Sequence, residues 1–130
     1  MVFVDSNVPM YLVGLPHPNR DRVEAYIRSH AEERYVTSAE VYQEVIHRYV
    51  AIDRRQAIGD CFAFLDALVQ QVYPITKEET EKARTIALEQ RRLSGRDCLH
   101  IATMERYGIT RILSFDRDFE LWSGITCLPI

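Results

Sequence analysis

Asp5 ends an apolar run, Val2, Phe3 and Val4, and Ser6 and Asn7 follow it directly. A buried strand that closes on a carboxylate needs a reason, and three more acids raise the same question. Glu44 lies about two turns into the helical pattern of "TSAEVYQEVIHRY", too deep to cap that helix. Its neighbours Val41, Val45 and Arg48 mark the border of a buried face. Asp97 opens the apolar helical pattern of "GRDCLHIATMERYG", and Asp116 follows "ILS" in "ILSFDRDFELW". Taken one at a time, three of the four have structural explanations. Asp5 or Ser6 can cap the following helix, Ser94 and Asp97 have capping-box spacing, and Asp116 suits an Asx turn ahead of Phe119. Taken together they suggest chemistry. Gathered carboxylates repel and resist burial, and a hard divalent cation resolves both problems. Mg2+ and Mn2+ prefer carboxylate and water oxygens, and can polarise a phosphodiester and activate the water that attacks it. Ser6, Asn7 and Ser114 are suited to orient such ligands through hydrogen bonds. Arg91, Arg92 and Arg96 stand just before Asp97. Arg92 and Arg96 could grip phosphates flanking a cleaved bond, or the run could simply be a solvated helix end.

The acids meet only if the elements that carry them lead to one place. Apolar runs predict strands over 2–4, 35–37, 72–75, 111–113 and 126–128. Helical periodicity predicts helices over 7–13, 19–33, 38–50, 54–71, 77–93 and 95–107, with a short one over 117–122. Thr37 with Glu40 and Thr76 with Glu79 have capping-box spacing. Strands alternating with such helices imply an α/β fold with a parallel sheet covered on both faces. Ligands of such sheets sit beyond the carboxyl ends of the strands, where Asp5 and Asp116 would lie.

Bulk properties narrow the classes. The length of 130 residues suits one domain, 1–130, and no linker, repeat or low-complexity tract divides it. No apolar run approaches the roughly 20 residues that span a bilayer, and no basic-then-apolar leader opens the sequence, so a cytoplasmic protein without membrane contact is expected. A net charge of −3 argues against coating nucleic acid by bulk electrostatics. Cys61, Cys98 and Cys127 are widely spaced with no CxxC pair, as for buried thiols. The stripe Phe62, Phe64, Leu65, Leu68 and Val69 is either core or an apolar partner surface.

Four stretches, in order along the chain, resemble a PIN domain, most closely the VapC-type toxins of bacterial toxin–antitoxin pairs. "VDSNV" is similar to the family's opening strand and first acid, Asp5. "TSAEVYQEVIHRY" is similar to its second strand and helix, with Ser38 six residues before Glu44. "GRDCLHIATMERYG" is similar to its third acidic motif at Asp97, and "ILSFDRDFELW" to its closing motif, with Ser114 two before Asp116 and Phe119 three after. The resemblance implies a PIN-like three-layer α/β/α fold with a central, mostly parallel sheet. It implies a Mg2+- or Mn2+-dependent endoribonuclease, held in check by a small VapB-like antitoxin and assembled as a homodimer. Asp5, Glu44, Asp97 and Asp116 are then catalytic and metal-binding, with Asp5 and Asp97 first among direct ligands. Two features depart from the pattern: Pro9, in a helical first turn that tolerates it, and Asp118, an extra acid beside the fourth position, expected to be a solvated turn residue.

Other assignments fit less well. Glu44 with His47 and Asp97 with His100 have the Glu/Asp-x-x-His spacing of di-iron bundles, but the strands contradict a four-helix bundle. Asp5 and Asn7 have the spacing of an Asp-x-Asp phosphatase motif, but the second acid is missing. A receiver domain needs paired early acids and a late lysine, and Lys77 and Lys82 are the chain's only lysines. His100 is expected to pack beside the third acid or to contact substrate, and His17 and His30 to lie in a loop and at the surface. A structure-specific DNA nuclease using the same acids, and a silent RNA-binding or regulatory module, remain the alternatives.

Overall fold

The computed structural model describes residues 1–128. In chain order these form β1 (Val2–Val4), α1 (Asn7–Val13), α2 (Pro18–Ser29), β2 (Tyr35–Ser38), α3 (Ala39–Ala51), α4 (Gln56–Leu68), β3 (Gln71–Tyr73), α5 (Lys77–Glu89), α6 (Gly95–Arg106), β4 (Arg111–Leu113), a short 3-10 helix (Arg117–Leu121) and β5 (Thr126–Leu128). The strands form one parallel sheet in the order β3-β2-β1-β4-β5. The central runs are apolar and fully buried: Val2, Phe3, Val4, Val36, Ile112 and Leu113 are 0% exposed. A strand covered on both faces reads as a continuous apolar run rather than an alternating one.

Parallel neighbours need right-handed crossovers, and these decide where the helices go. The chain steps from β1 to β2 to β3 in one direction, then returns past β1 to β4 and β5. Reversing the direction places the next helices on the opposite face. The helices accordingly pack as two groups, α1 to α4 and α5 with α6, on the two faces of a three-layer α/β/α arrangement. The reversal falls between β1 and β4, where an open sheet splays to form a crevice. Register sets the residues there. Val4 stands level with Leu113, and the Asp5 N–H donates to the Leu113 carbonyl at 3.1 Å. Asp5 and Ser114 therefore leave adjacent strands at the same height.

Several boundaries differ from the sequence expectation. β3 begins at Gln71 and ends before Pro74, which has no N–H to offer a ladder, so α4 stops at Leu68 rather than 71. α2 stops at Ser29 and α5 at Glu89, short of 33 and 93. At Gln90 the backbone is already extended, and Ser94 then caps α6. The Thr37–Glu40 capping box does not form. Ser38 is the N-cap of α3, and the buried Thr37 hydroxyl instead donates to the Val4 carbonyl at 2.8 Å. The Thr76–Glu79 box does form, and Arg106 of α6 also pairs with the buried Glu79. Leu65 is buried in the main core, with Phe64, Leu68 and Val69 against it, and Phe62 packs in a smaller cluster with Val45, Tyr49 and Cys61. The three cysteines are buried free thiols, and no helix among the described residues is long and apolar enough to cross a membrane.

The Thr37 bond pins the last residue of β1, from which Asp5 projects. Thr37→Val keeps the shape and removes the donor. It is expected to lower unfolding stability by about 1–3 kcal/mol in urea titrations, with an unchanged m-value. A loss below about 0.3 kcal/mol would show that the bond does not hold the strand end.

Candidate functional site

Each of the four acids comes from a different part of the fold. Asp5 leaves the end of β1, Glu44 lies on α3, Asp97 opens α6 and Asp116 follows β4. All four line one cavity of about 400 Å³ at the sheet reversal, together with Ser6, Asn7, Arg48, Arg92 and Arg96.

Asp5 is 5% exposed and closely tied. The Ser114 hydroxyl donates to its Oδ2 at 2.6 Å, the Ser6 N–H to its Oδ1 at 2.7 Å and the Asn7 amide to Oδ2 at 3.3 Å. Ser114 in turn accepts from the Asn7 amide at 3.1 Å and from the Asp116 N–H at 3.0 Å. That last bond gives the two-residue spacing between Ser114 and Asp116 its purpose, because one hydroxyl sets both acids. Ser6 reaches the other way, donating to Glu44 Oε2 at 2.7 Å. Ser6, Asn7 and Ser114 thus each hydrogen-bond to Asp5 or Glu44.

Glu44 and Asp5 also enclose His100, which is 1% exposed. Its Nε2 is hydrogen-bonded to Glu44 Oε1 and lies 3.7 Å from Asp5 Oδ1. Burial alone would push the imidazole down, but the Glu44 bond and the charges of Asp5, Glu44 and Asp97 outweigh it and raise it. Burial pushes Glu44 up, yet the His100 bond and charge, with Ser6 and Arg96, bring it below its ordinary value. Both shifts favour a hydrogen bond between the imidazole and the Glu44 carboxylate, while His100 Nδ1 is buried without a hydrogen-bond partner among the described residues. His100 thus packs on the first two acids and is shut away from any substrate. Sequence reasoning missed this pairing, although His100 falls one helical turn after Asp97 and so on the same face.

Asp97 and Asp116 are half-buried and face the open cavity. Asp116 also fills the turn role foreseen for it, and Asp97 takes part in one half of the capping box foreseen with Ser94. Ser94 accepts the Asp97 N–H at 3.1 Å, and Asp116 Oδ1 accepts the Asp118 N–H at 2.9 Å in an Asx turn. The cap at Ser94 uses the backbone of Asp97, so the carboxylate can face the cavity. Burial, then the charges of Asp5 and Asp116, push the Asp97 carboxyl up to about 6. Burial likewise raises Asp5. Glu40, expected only as a capping residue, lies one turn before Glu44, and its carboxyl is raised by burial and by Glu44. Asp118 is exposed at the cavity rim. Arg92 and Arg96 line the cavity, joined by Arg48 from one turn beyond Glu44; Arg91 does not line it.

This donor set suits a hard cation. Oxygens dominate it, and two of its carboxyls are lifted by burial and like charge. Asp5, Glu44 and His100 bring ligand-type atoms within 4.8 Å of one another. Glu44 has both oxygens engaged by Ser6 and His100, and Asp5 has both of its engaged by Ser6, Ser114 and Asn7, which leaves Asp97 and Asp116 the freer donors.

Without a cation the raised Asp97 carries a sign. Its folded value, about 6, lies above its ordinary 3.8, so its contribution to stability is full below 3.8 and is lost as pH rises through about 6. In metal-free buffer, Asp97→Asn should be more stable than the parent at pH 7, by about 1–3 kcal/mol, and should lack the parent's decline between pH 4 and 7. Thermal melts across that range test this. A variant less stable by the same margin at every pH would make the Asp97 carboxylate a structural group.

The PIN domain family matches residues 2–123. A VapC ribonuclease of Mycobacterium bovis, Mb1869c, is 48% identical over 127 residues, covering 96% of this chain and 97% of that protein. Among solved structures, Mycobacterium tuberculosis VapC20, described as a sarcin–ricin loop cleaving toxin, superposes with a TM-score of 0.81 at 21% identity over 97% of both chains. VapBC2 from Rickettsia felis, described as bound to a DNA fragment from the pair's promoter, gives a TM-score of 0.71 at 8% identity, covering 98% of each chain.

Proposed function

Because the chain belongs to the PIN domain family, we propose that it is a divalent-metal-dependent endoribonuclease and the toxin of a toxin–antitoxin pair. The observation that carries this is the convergence of Asp5, Glu44, Asp97 and Asp116 from four elements on one arginine-rimmed cavity. Its relatives named VapC ribonucleases support the substrate class. The solved toxin–antitoxin complexes that share its fold support a small antitoxin as partner.

Asp5, Asp97 and Asp116 are proposed as the metal's carboxylate donors, with Glu44 completing the set from behind Asp5. When bound, Mg2+ or Mn2+ supplies Lewis-acid charge to the phosphodiester and to the attacking water. The protein's own part is placement. Ser114 and Asn7 fix Asp5, Ser6 and His100 fix Glu44, and the His100 bond brings the Glu44 carboxyl below its ordinary value although burial pushes it up. Arg48, Arg92 and Arg96 receive the phosphates on either side of the cleaved bond. The water oxygen forms the new bond to phosphorus, and Asp97 or Asp116, the two acids facing the open cavity, accepts its proton. The 3′ oxygen departs in line and takes up a proton, leaving a 3′-hydroxyl and a 5′-phosphate. The antitoxin is expected to place a basic side chain among the acids, where a cation can stand in for the metal. A homodimer in the cytoplasm completes the proposal.

Purified protein freed of its partner should cut single-stranded RNA with Mg2+ or Mn2+ and stop in excess EDTA. Asp5→Asn should reduce cutting by about 100-fold or more, beyond the usual cost of losing one orienting group around a metal. Cleavage that persists unchanged in EDTA would remove the metal from the reaction. In cells, expression of the parent should arrest growth. Asp5→Asn at matched protein level should not. Equal growth of the two strains would count against a toxin.

A further inference from the structure

A second recess, of about 420 Å³, opens beside the acidic cavity, and the two share Met10 and Arg48 in their walls. Its character is different. Tyr11, His17, Tyr49 and Ile52 line it, Arg54 stands with Arg48 at its edge, and no acidic side chain among the described residues faces it. Aromatic rings lead into it from the acids. Phe115, between Ser114 and Asp116, meets Tyr11 edge-on at 4.8 Å between centroids and 65°. Tyr11 then tilts against His17 at 5.0 Å and 39°. Leu15, 70% exposed, and Ile52, 41% exposed, leave apolar surface at the mouth that nothing in the fold covers.

Rings and aliphatic surface bounded by guanidinium groups, without carboxylates, suit a nucleobase and its phosphate. Bases stack on aromatic side chains whatever their sequence, and arginine pairs with the backbone between them. Two features favour this occupant over an apolar peptide. One is the absence of acids beside two arginines. The other is the shared wall, which lets one strand occupy both recesses. We propose that the recess holds an unstacked base of single-stranded RNA, adjacent to the nucleotide whose phosphate enters the acidic cavity, with Tyr11 as the stacking platform and Arg48 gripping the phosphate between them. This rests on the acidic cavity being the ribonuclease site. It also narrows the substrate to single strands and loops, because a paired base cannot leave its stack without cost.

The test reads binding alone. Fluorescence anisotropy with a labelled single-stranded RNA, in EDTA so that nothing is cut, compares the parent with Tyr11→Ala, Tyr11→Leu and Tyr11→Phe, each checked for folding by thermal melt. Tyr11→Ala and Tyr11→Leu should weaken binding by about 5- to 100-fold, and Tyr11→Phe, which keeps the ring, by less than about twofold. An abasic site scanned along the RNA should weaken the parent at one position by a similar factor and add little to Tyr11→Ala there, because both remove the same stack. Equal affinities for all four proteins would overturn the proposal, as would losses that multiply at every abasic position. A change of oligomeric state in Tyr11→Ala with RNA affinity intact would also overturn it and make the recess a contact between copies of this chain. Failure to cut RNA would count against the ribonuclease assignment and leave these affinities to decide the subsite.

Discussion

Like charge in a confined space is the constraint on which the rest of this structure depends. Two unit charges about 5 Å apart repel by roughly 3 kcal/mol at an effective dielectric near 20, and here several carboxylates line one cavity. The sheet makes such a gathering possible, because its reversal between β1 and β4 opens a crevice at the strand ends. Nearly every polar residue around that crevice serves to hold the acids in place against their repulsion. Ser114 ties Asp5 to the Asp116 backbone, Ser6 ties Glu44 to the start of α1, and Thr37 fixes the strand end that carries Asp5.

The cavity is graded from back to front. At the back, the Glu44–His100 pair is buried and hydrogen-bonded, which fixes its position. At the front, Asp97 and Asp116 are half-buried, and burial with the charges of its neighbours lifts Asp97 to about 6. The unsatisfied charge is thus directed to the open side, where a cation and a phosphate can reach it. The guanidinium rim at Arg48, Arg92 and Arg96 suits an anion such as a phosphate rather than a cation.

Much of this was legible in the sequence because the signals are local. The apolar run before Asp5, the depth of Glu44 in its helix, the cap spacing at Ser94 and the two-residue step from Ser114 to Asp116 are each visible in a few residues. What escaped depends on contacts between distant parts of the chain. His100 meets Glu44 across 56 positions, and nothing near either residue names its partner. Arg48 is exposed on α3, and only the packing of that helix turns it to the cavity. Thr37 had the spacing of a capping residue, but its hydroxyl found the neighbouring strand, so that tertiary contact overrode the local motif. Strand and helix ends moved by a few residues where proline, or the start of the next element, intervened.

The central claim is that the acids form a divalent cation site. Diffraction at the manganese absorption edge from crystals grown with Mn2+ tests it most directly. The account predicts an anomalous peak inside the acidic cavity, bonded to carboxylate oxygens of Asp5, Asp97 and Asp116, that disappears in Asp5→Asn. A cavity with no such peak, at Mn2+ concentrations where the protein cuts RNA, would contradict it.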